Sequence, residues 1–179
     1  MQTDCPLCGS QAVRETFTKG VYNYLRCATC GSLFVSNPPA AAEVHARYSE
    51  DYYEAASLGV EDRKGYPSYM KAQESLTNSF KSKLKLVQDR VPSGRLLDAG
   101  AAYGTFLRLA NSHYEGMGIE VSQYAASVAK KTFGIDIKVA SIEHSPPFPD
   151  DYFDGIVMWD IIEHLINPVQ ALKEVYRML

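Results

Sequence analysis

The sequence has no long hydrophobic segment. Its apolar runs, such as GIVMW before Asp160, are far shorter than the roughly 20 residues that a membrane-spanning helix requires. The N-terminus, MQTDCPLCGS, also lacks the basic start and the apolar stretch of a secretory signal. We therefore expect a cytoplasmic protein without a membrane partner, in which the cysteines work in a reducing environment.

The sequence also lacks a strong excess of either charge. Its 18 basic and 21 acidic residues give a net charge of −3, which counts against a nucleic-acid partner held by bulk electrostatics. With 46% hydrophobic and 22% charged residues, the composition is that of a globular protein, which argues against a disordered or fibrous chain. The 179 residues suffice for one domain, or for a small domain and most of a second.

The cysteines are confined to the N-terminal region, where they form two C-x2-C pairs separated by 18 residues. This spacing is typical of a structural zinc site with four thiolate ligands, here Cys5, Cys8, Cys27 and Cys30. Four protein ligands leave no open position for catalysis. We therefore predict a stabilising zinc ribbon over residues 1–36, with two short strands joined by a turn at Gly20. Paired disulfides or a redox-active C-x-x-C are the alternatives.

Residues 37–93 are predicted to form a helical connecting segment. Asn37-Pro38-Pro39 marks its beginning. A helix from about Ser68 to Arg90 is predicted because apolar residues recur every three or four positions, at Leu76, Phe80, Leu84, Val87 and Val91. The stretch from Tyr48 to Tyr69 contains five of the twelve tyrosines.

Residues 94–179 alternate between short apolar runs and helix-like segments. The runs RLLDAG, GMGIEV, IDIKVA and FDGIVMWD begin about 20 residues apart. Strands that alternate with helices pair in parallel, so the pattern predicts an α/β fold with a parallel sheet.

The segment LLDAGAAYGTFLRLA has the features of a ligand-binding loop. The first strand ends at Asp98, a turn contains Gly100 and Gly104, and a helix begins near Tyr103. Open α/β sheets bind ligands at this carboxyl end of their strands, and glycine lets the backbone approach a ligand closely. Glu120 ends the second strand, where an acid accepts hydrogen bonds from ribose hydroxyls. Loop and acid together indicate a nucleoside-containing cofactor.

The glycine spacing separates two families of such proteins. Dinucleotide-binding domains have G-x-G-x-x-G, whereas this loop reads D-x-G-x-x-x-G. In this motif, and in the acid that ends strand two, residues 94–179 resemble the class I S-adenosylmethionine-dependent methyltransferases. The segment PPFPDDYFDGIVMWD followed by IIEHLINP resembles a later pattern of the same family. The resemblance implies a Rossmann-like sheet, S-adenosylmethionine as cofactor and methyl transfer as activity.

The resemblance also implies the roles of individual residues. Asp98 would orient the loop and the amino group of the cofactor, and Glu120 would hold the ribose. Ser141 stands where the family usually has an acid next to the adenine, and Ala102 stands where many members have glycine. The full set of implied cofactor-binding residues is Asp98, Gly100, Ala101, Tyr103, Gly104, Glu120, Val121, Ser141, Ile142 and Asp160.

The N-terminal half is similar to bacterial zinc-ribbon methyltransferases that modify sugars, polysaccharides or secondary metabolites. The similarity lies in the four-cysteine ribbon and in the segments LFVSNPP and YSEDYYE. In such enzymes the segment before strand one covers the cofactor. Tyr52, Tyr53 or Tyr69 would then face the sulfonium or the substrate, and ordinary half-buried packing is the alternative for each.

An acidic cluster follows strand four. Asp160, Glu163 and His164 have the i, i+3, i+4 spacing of one helix face, and His164 is the candidate general base. The cluster also resembles the E-x-x-E-H pattern that holds magnesium in some O-methyltransferases, although Asp160 in place of the first glutamate shortens the reach. The simpler alternative is a helix start whose acids lie at its positive end.

Three functions follow from these features. The first is methylation of a small molecule, such as a sugar or a biosynthetic intermediate. The alternatives are a ribosomal-RNA methyltransferase, whose ribbon and basic segment 63–95 contact phosphates, and a non-catalytic cofactor-binding fragment.

The length of the chain also bears on the fold. The family has seven strands, and residues 94–179 accommodate four, in the order 3-2-1-4. We therefore expect a C-terminally truncated chain that lacks strands five to seven. Strand four would be an open edge, which a homodimer would cover.

Overall fold

The computed structural model describes residues 3–54 and 69–179. These residues form two separate sheets, one of three strands and one of four. The predicted start of the long helix at Ser68 lies outside the described residues. None of the helices in the described ranges combines the length and apolar character needed to cross a membrane.

The N-terminal sheet is antiparallel, with strands β1 (Val13–Lys19), β2 (Tyr22–Cys27) and β3 (Leu33–Val35) in that order. The predicted hairpin is confirmed, because β1 and β2 are joined at Gly20 and pair from Lys19 with Tyr22 to Val13 with Cys27. Strand β3 was not predicted, since three residues are too few for a periodic pattern.

Between the two sheets, residues 37–54 and 69–94 contain three helices: α1 (Ala41–Ala46), α2 (Glu50–Glu54) and α3 (Gln73–Gln88). Helix α3 is the predicted amphipathic helix, and it buries Phe80, Leu84 and Val87. It ends two residues earlier than predicted. The N–H of Arg90 donates to Val87 O at 3.0 Å, which tightens the last turn ahead of Pro92.

The second sheet is parallel. It consists of β4 (Arg95–Ala99), β5 (Glu115–Glu120), β6 (Ile137–Val139) and β7 (Gly155–Val157) in the order β6-β5-β4-β7. This confirms the predicted order 3-2-1-4. Helix α4 (Thr105–Ala110) follows β4, α5 (Gln123–Phe133) follows β5, and α6 (Pro168–Met178) follows β7.

Side chains of β4 alternate between two apolar cores, one on each face of the sheet. Leu96 packs with Phe80 and Phe106, under α3 and α4. Leu97 packs with Ala171 and Met178, under α6. Both leucines are fully buried, which explains why the strand is a continuous apolar run rather than an alternating one. The carboxyl end of β4 is thereby held in the centre of the sheet.

Candidate functional site

The loop after β4 is attached to the end of β5 by backbone hydrogen bonds. The N–H groups of Gly100 and Ala101 both donate to the carbonyl of Ile119, at 2.8 and 3.0 Å. Gly100 has φ 86°, and a Cβ at this position would lie 2.1 Å from Cδ1 of Ile161. Glycine is therefore required there for two reasons, backbone conformation and space.

Ala102 is also in a left-handed conformation, with φ 48°. Such a conformation costs an L-residue roughly 1–2 kcal/mol, whereas glycine adopts it freely. The glycine that many family members have at this position is thus explained by the backbone. Here the N–H of Ala102 donates to Oε2 of Glu120 at 3.0 Å, which holds the strained turn in place.

Glu120 lies at the end of β5 and is 5% exposed. Its Oε1 accepts the N–H of Ser122 at 2.9 Å, and its Oε2 accepts that of Ala102. Burial raises the pKa of the carboxyl, and these backbone N–H groups oppose the rise. A carboxylate oxygen can accept more than one hydrogen bond, so each oxygen retains capacity for a ligand hydroxyl.

Asp98 lies beside it, near the end of β4. Burial and the negative charge of Glu120 raise the pKa of Asp98 to about 7, against the opposing effect of the positive charge of Lys83. The free protein therefore holds a carboxyl group that is poised to ionise when a positive charge comes close.

A cavity of about 170 Å³ opens above these residues. The loop after β4, the ends of β5 and β6, and the segment after β7 form one wall, and helices α1, α2 and α3 contribute the other. Nine of the residues predicted to form the site line it: Asp98, Gly100, Ala101, Glu120, Val121, Ser141, Ile142, Asp160 and His164.

Two of the predicted cofactor-binding residues, Tyr103 and Gly104, do not line the cavity. The ring of Tyr103 is fully buried and stacks on Tyr53 with centroids 5.2 Å apart, and its hydroxyl donates to Glu54 at 3.0 Å. Gly104 is the N-cap of α4, and its N–H donates to Ala101 O at 2.7 Å. Both residues shape the loop from outside the cavity.

The predicted helix face after strand four is wrong. Asp160 has φ 57°, residues Ile162–His164 form a single 3₁₀ turn, and α6 begins only at Pro168. A left-handed residue interrupts a helix, so the i, i+3, i+4 spacing does not apply here. The carboxylate of Asp160 instead pairs with Lys83 at 3.2 Å.

The three residues that resemble a magnesium-binding pattern, Asp160, Glu163 and His164, do not form a group of potential metal ligands. Within residues 3–54 and 69–179, the cysteines are the one group of three or more potential ligands that lie close enough to hold a metal. His164 is exposed at the rim of the cavity, with its ring 6.5 Å from that of Tyr48. Its role as a base stays a prediction.

The structure adds residues to the site that the sequence analysis missed. His45 of α1 and Trp159 after β7 line the cavity, as does Glu143. Glu143 is buried and accepts the N–H of Asn167. Its position two residues after Ser141, close to where the family usually has an acid, was a usable signal. No signal pointed to His45, since only tertiary packing brings α1 over the sheet.

The four cysteine sulfurs converge in the N-terminal sheet, within 4.8 Å of one another. The Sγ atoms of Cys5 and Cys30, and those of Cys8 and Cys27, are each 3.6 Å apart. A tetrahedron with Zn–S bonds of about 2.3 Å places its sulfurs about 3.8 Å apart, so the arrangement fits zinc. The Ser32 hydroxyl, 3.1 Å from Cys5 Sγ, lowers the pKa of this thiol to about 6, which favours the thiolate that binds metal.

Known proteins resemble mainly the C-terminal half of the chain. Residues 97–179 match the methyltransferase domain family. A solved S-adenosylmethionine-dependent methyltransferase of Thermotoga maritima is 29% identical with a TM-score of 0.52, over 62% of this chain and 51% of its own. Residues 97–179 form a class I S-adenosylmethionine-dependent methyltransferase domain.

Two further comparisons extend beyond this methyltransferase domain. The [4+2]-cyclase SpnF has a TM-score of 0.55 at 25% identity, over 79% of this chain and 57% of its own. The uncharacterized protein MJ1123 of Methanocaldococcus jannaschii is 30% identical over 100 residues, which are 56% of this chain and 46% of that protein. The chain thus spans about half the length of the relatives it matches.

Replacement of Gly100 tests the loop of the methyltransferase domain. We expect Gly100→Ala to weaken binding of S-adenosylmethionine about tenfold or more, because its Cβ would displace Ile161 in the cavity wall. Gly134→Ala is the matched control. Gly134 has φ 69°, but a Cβ there meets no atom within 4 Å, so it carries the backbone strain without the collision. Equal affinities of the two variants in titration calorimetry would contradict the assignment.

Proposed function

We propose that the cavity binds S-adenosylmethionine and that the chain is the cofactor-binding part of an enzyme that methylates a small molecule. The observation that carries this proposal is the convergence of Asp98, Gly100 and Glu120 on one cavity at the carboxyl ends of β4 and β5. The predicted units, 1–36, 37–93 and 94–179, are part of the proposal.

Glu120 is assigned to the ribose, because its two oxygens lie at the cavity wall with hydrogen-bonding capacity to spare. Val121, Ser141 and Ile142 are assigned to the adenine. They line the same cavity at the ends of β5 and β6. The Asp98 carboxyl and the Gly100 loop are assigned to the methionine part.

The chemistry of the cavity suits a cationic ligand. Carboxyl groups of Asp98, Glu120 and Glu143 line it. The cover over these acids is aromatic and consists of Tyr48, Tyr52, Tyr53 and Tyr69. Both carboxylates and the faces of aromatic rings attract positive charge, and a sulfonium with a nearby ammonium group provides it.

When bound, S-adenosylmethionine supplies an electrophilic methyl group. The protein has to hold the acceptor in line with it and keep water out, which is the task of the tyrosine cover. An alcohol or phenol acceptor must also lose a proton. His164 is placed to accept it, because its exposed imidazole lies where the cavity meets an adjoining groove.

The adjoining groove, of about 750 Å³, is assigned to the acceptor. Tyr48, Tyr52 and His164 line both the groove and the cavity. Aromatic side chains from the N-terminal sheet form the far wall, and among the described residues Arg47 is the one arginine or lysine that lines the groove. This aromatic wall with little positive charge favours a small molecule over RNA, whose phosphates require several basic contacts.

Transfer of a labelled methyl group tests the proposed function. The chain is incubated with a cell extract and S-adenosylmethionine that carries a tritiated methyl group. We expect label in the low-molecular-mass fraction. Label in RNA would support the ribosomal-RNA alternative, and binding without transfer would support the non-catalytic alternative. The cyclase among the proteins of similar fold is a reason to measure transfer directly.

The raised pKa of Asp98 predicts a pH-dependent proton release. At pH 6 the carboxyl is mostly protonated, and a cation bound beside it lowers its pKa and expels the proton. At pH 8.5 it is already ionised. Titration calorimetry in two buffers of different ionisation enthalpy should therefore show that cofactor binding releases protons at pH 6 and releases few at pH 8.5. The difference in the number of protons released on binding by wild type and by Asp98→Asn is the contribution of the Asp98 carboxyl. Equal numbers for the two proteins would contradict the assignment.

Zinc at the four cysteines is a further part of the proposal. The described part of the N-terminal sheet region buries few apolar side chains, Leu25 and two of the cysteines, so a metal is the main source of its stability. We expect about one zinc per chain, and Cys5→Ser to lose most of it and expose the β1–β2 amides to hydrogen exchange. Ser10→Ala is the control, since that hydroxyl contacts Thr29 rather than a thiol. Unchanged zinc content in Cys5→Ser would contradict the site.

A further inference from the structure

Trp159 contains a buried donor without an acceptor. Its Nε1 is enclosed, and no described group accepts its hydrogen. The indole nitrogen can only donate, and a buried donor left unpaired is unfavourable. Trp159 lines the cavity, but its Nε1 has no accessible surface, so an acceptor on a bound ligand reaches this N–H only when the groups packed on it move.

A cation lies over the ring of the same tryptophan. Nζ of Lys83 is 4.9 Å from the centre of the Trp159 ring and 5.1 Å from that of Phe80. Its side chain is 25% exposed, and Nζ donates to Oδ2 of Asp160 at 3.2 Å. Lys83 is also close enough to Asp98 to affect that carboxyl electrostatically.

We propose that Lys83 and Trp159 bind the carboxylate of the cofactor's amino-acid part. In the absence of this carboxylate Lys83 pairs with Asp160, and the carboxylate displaces the Asp160 side chain when the cofactor binds. This inference rests on the proposed function. The amino-acid part carries an ammonium and a carboxylate on the same carbon, so the group that Asp98 attracts brings the carboxylate with it. A charged amine and an indole N–H then supply the two donors that a carboxylate accepts.

Asp160 is suited to being displaced. Its side chain is 69% exposed, so water replaces Lys83 as its partner at little cost. Asp160 lies between β7 and the following 3₁₀ turn, with its backbone in the left-handed region. It therefore belongs to neither element, and displacement of its side chain breaks no strand or turn. In this proposal Asp160 is an internal competitor for Lys83, which differs from the cofactor-binding role implied by the family resemblance.

Competition makes the two partners of one ion pair respond in opposite directions. Removal of the Lys83 charge should weaken binding of a ligand that carries the carboxylate. Removal of the Asp160 charge should strengthen it, because Lys83 is then free before the ligand arrives. If the ion pair only stabilises the fold, both changes weaken binding.

The experiment compares two ligands in titration calorimetry, S-adenosylhomocysteine and its analogue that lacks only the carboxylate. Lys83→Met keeps most of the side-chain packing, and Asp160→Asn retains a residue that tolerates the left-handed conformation. Trp159→Phe removes the N–H but keeps an aromatic ring. Lys81→Met is the control, since Lys81 lies on the same helix but is exposed and bonds Asn78.

We expect Lys83→Met to weaken the binding of S-adenosylhomocysteine about tenfold or more, and the binding of the analogue less than about twofold. Trp159→Phe should act in the same direction but less strongly. Asp160→Asn should tighten the binding of S-adenosylhomocysteine but not that of the analogue, and Lys81→Met should change the affinity for neither ligand. Equal losses for both ligands in Lys83→Met, or weaker binding of S-adenosylhomocysteine in Asp160→Asn, would overturn the proposal. If the wild-type protein binds neither ligand, both the proposed function and this inference are wrong. If it binds the two ligands with equal affinity, only this inference is wrong.

Discussion

The carbonyl of Ile119 organises the site. It accepts the N–H groups of both Gly100 and Ala101, and one residue later Glu120 accepts those of Ala102 and Ser122. These bonds join the loop after β4 to the end of β5, so two of the acids that face the cavity, Asp98 and Glu120, lie on strand ends that backbone hydrogen bonds hold together. A binding site built in this way needs little reorganisation when a ligand arrives.

The cover over the site depends on the same region. Ser122 begins α5 and its hydroxyl donates to the carbonyl of Tyr48 at 2.6 Å, which attaches the α1–α2 segment to the end of β5. Tyr53 stacks on Tyr103 of the loop. The aromatic cluster around them links cover and loop through ring contacts, and it accounts for the described tyrosines of this stretch, Tyr48, Tyr52, Tyr53 and Tyr69.

The parallel strands, the loop and the acid at Glu120 could be predicted because each depends on short-range features of the chain, whereas the strand order was implied by the family resemblance. Continuous apolar runs separated by helical segments indicate parallel strands, and glycines after a strand permit the positive-φ turn of a ligand-binding loop. The prediction that Asp160, Glu163 and His164 share one helix face was wrong because it depends on whether a helix forms at all. Spacing predicts a shared helix face only where a helix forms, and the left-handed Asp160 prevents one.

The sequence by itself therefore determined the elements of this protein and the chemistry of its loop, since backbone preferences and hydrophobic periodicity act between neighbours in the chain. Tertiary structure alone decided which side chains share the cavity. Lys83 and Asp160 are 77 positions apart, and His45 reaches the site from a helix before the sheet begins. Such contacts arise from the packing of helices on a twisted sheet, for which no spacing in the sequence provides a rule.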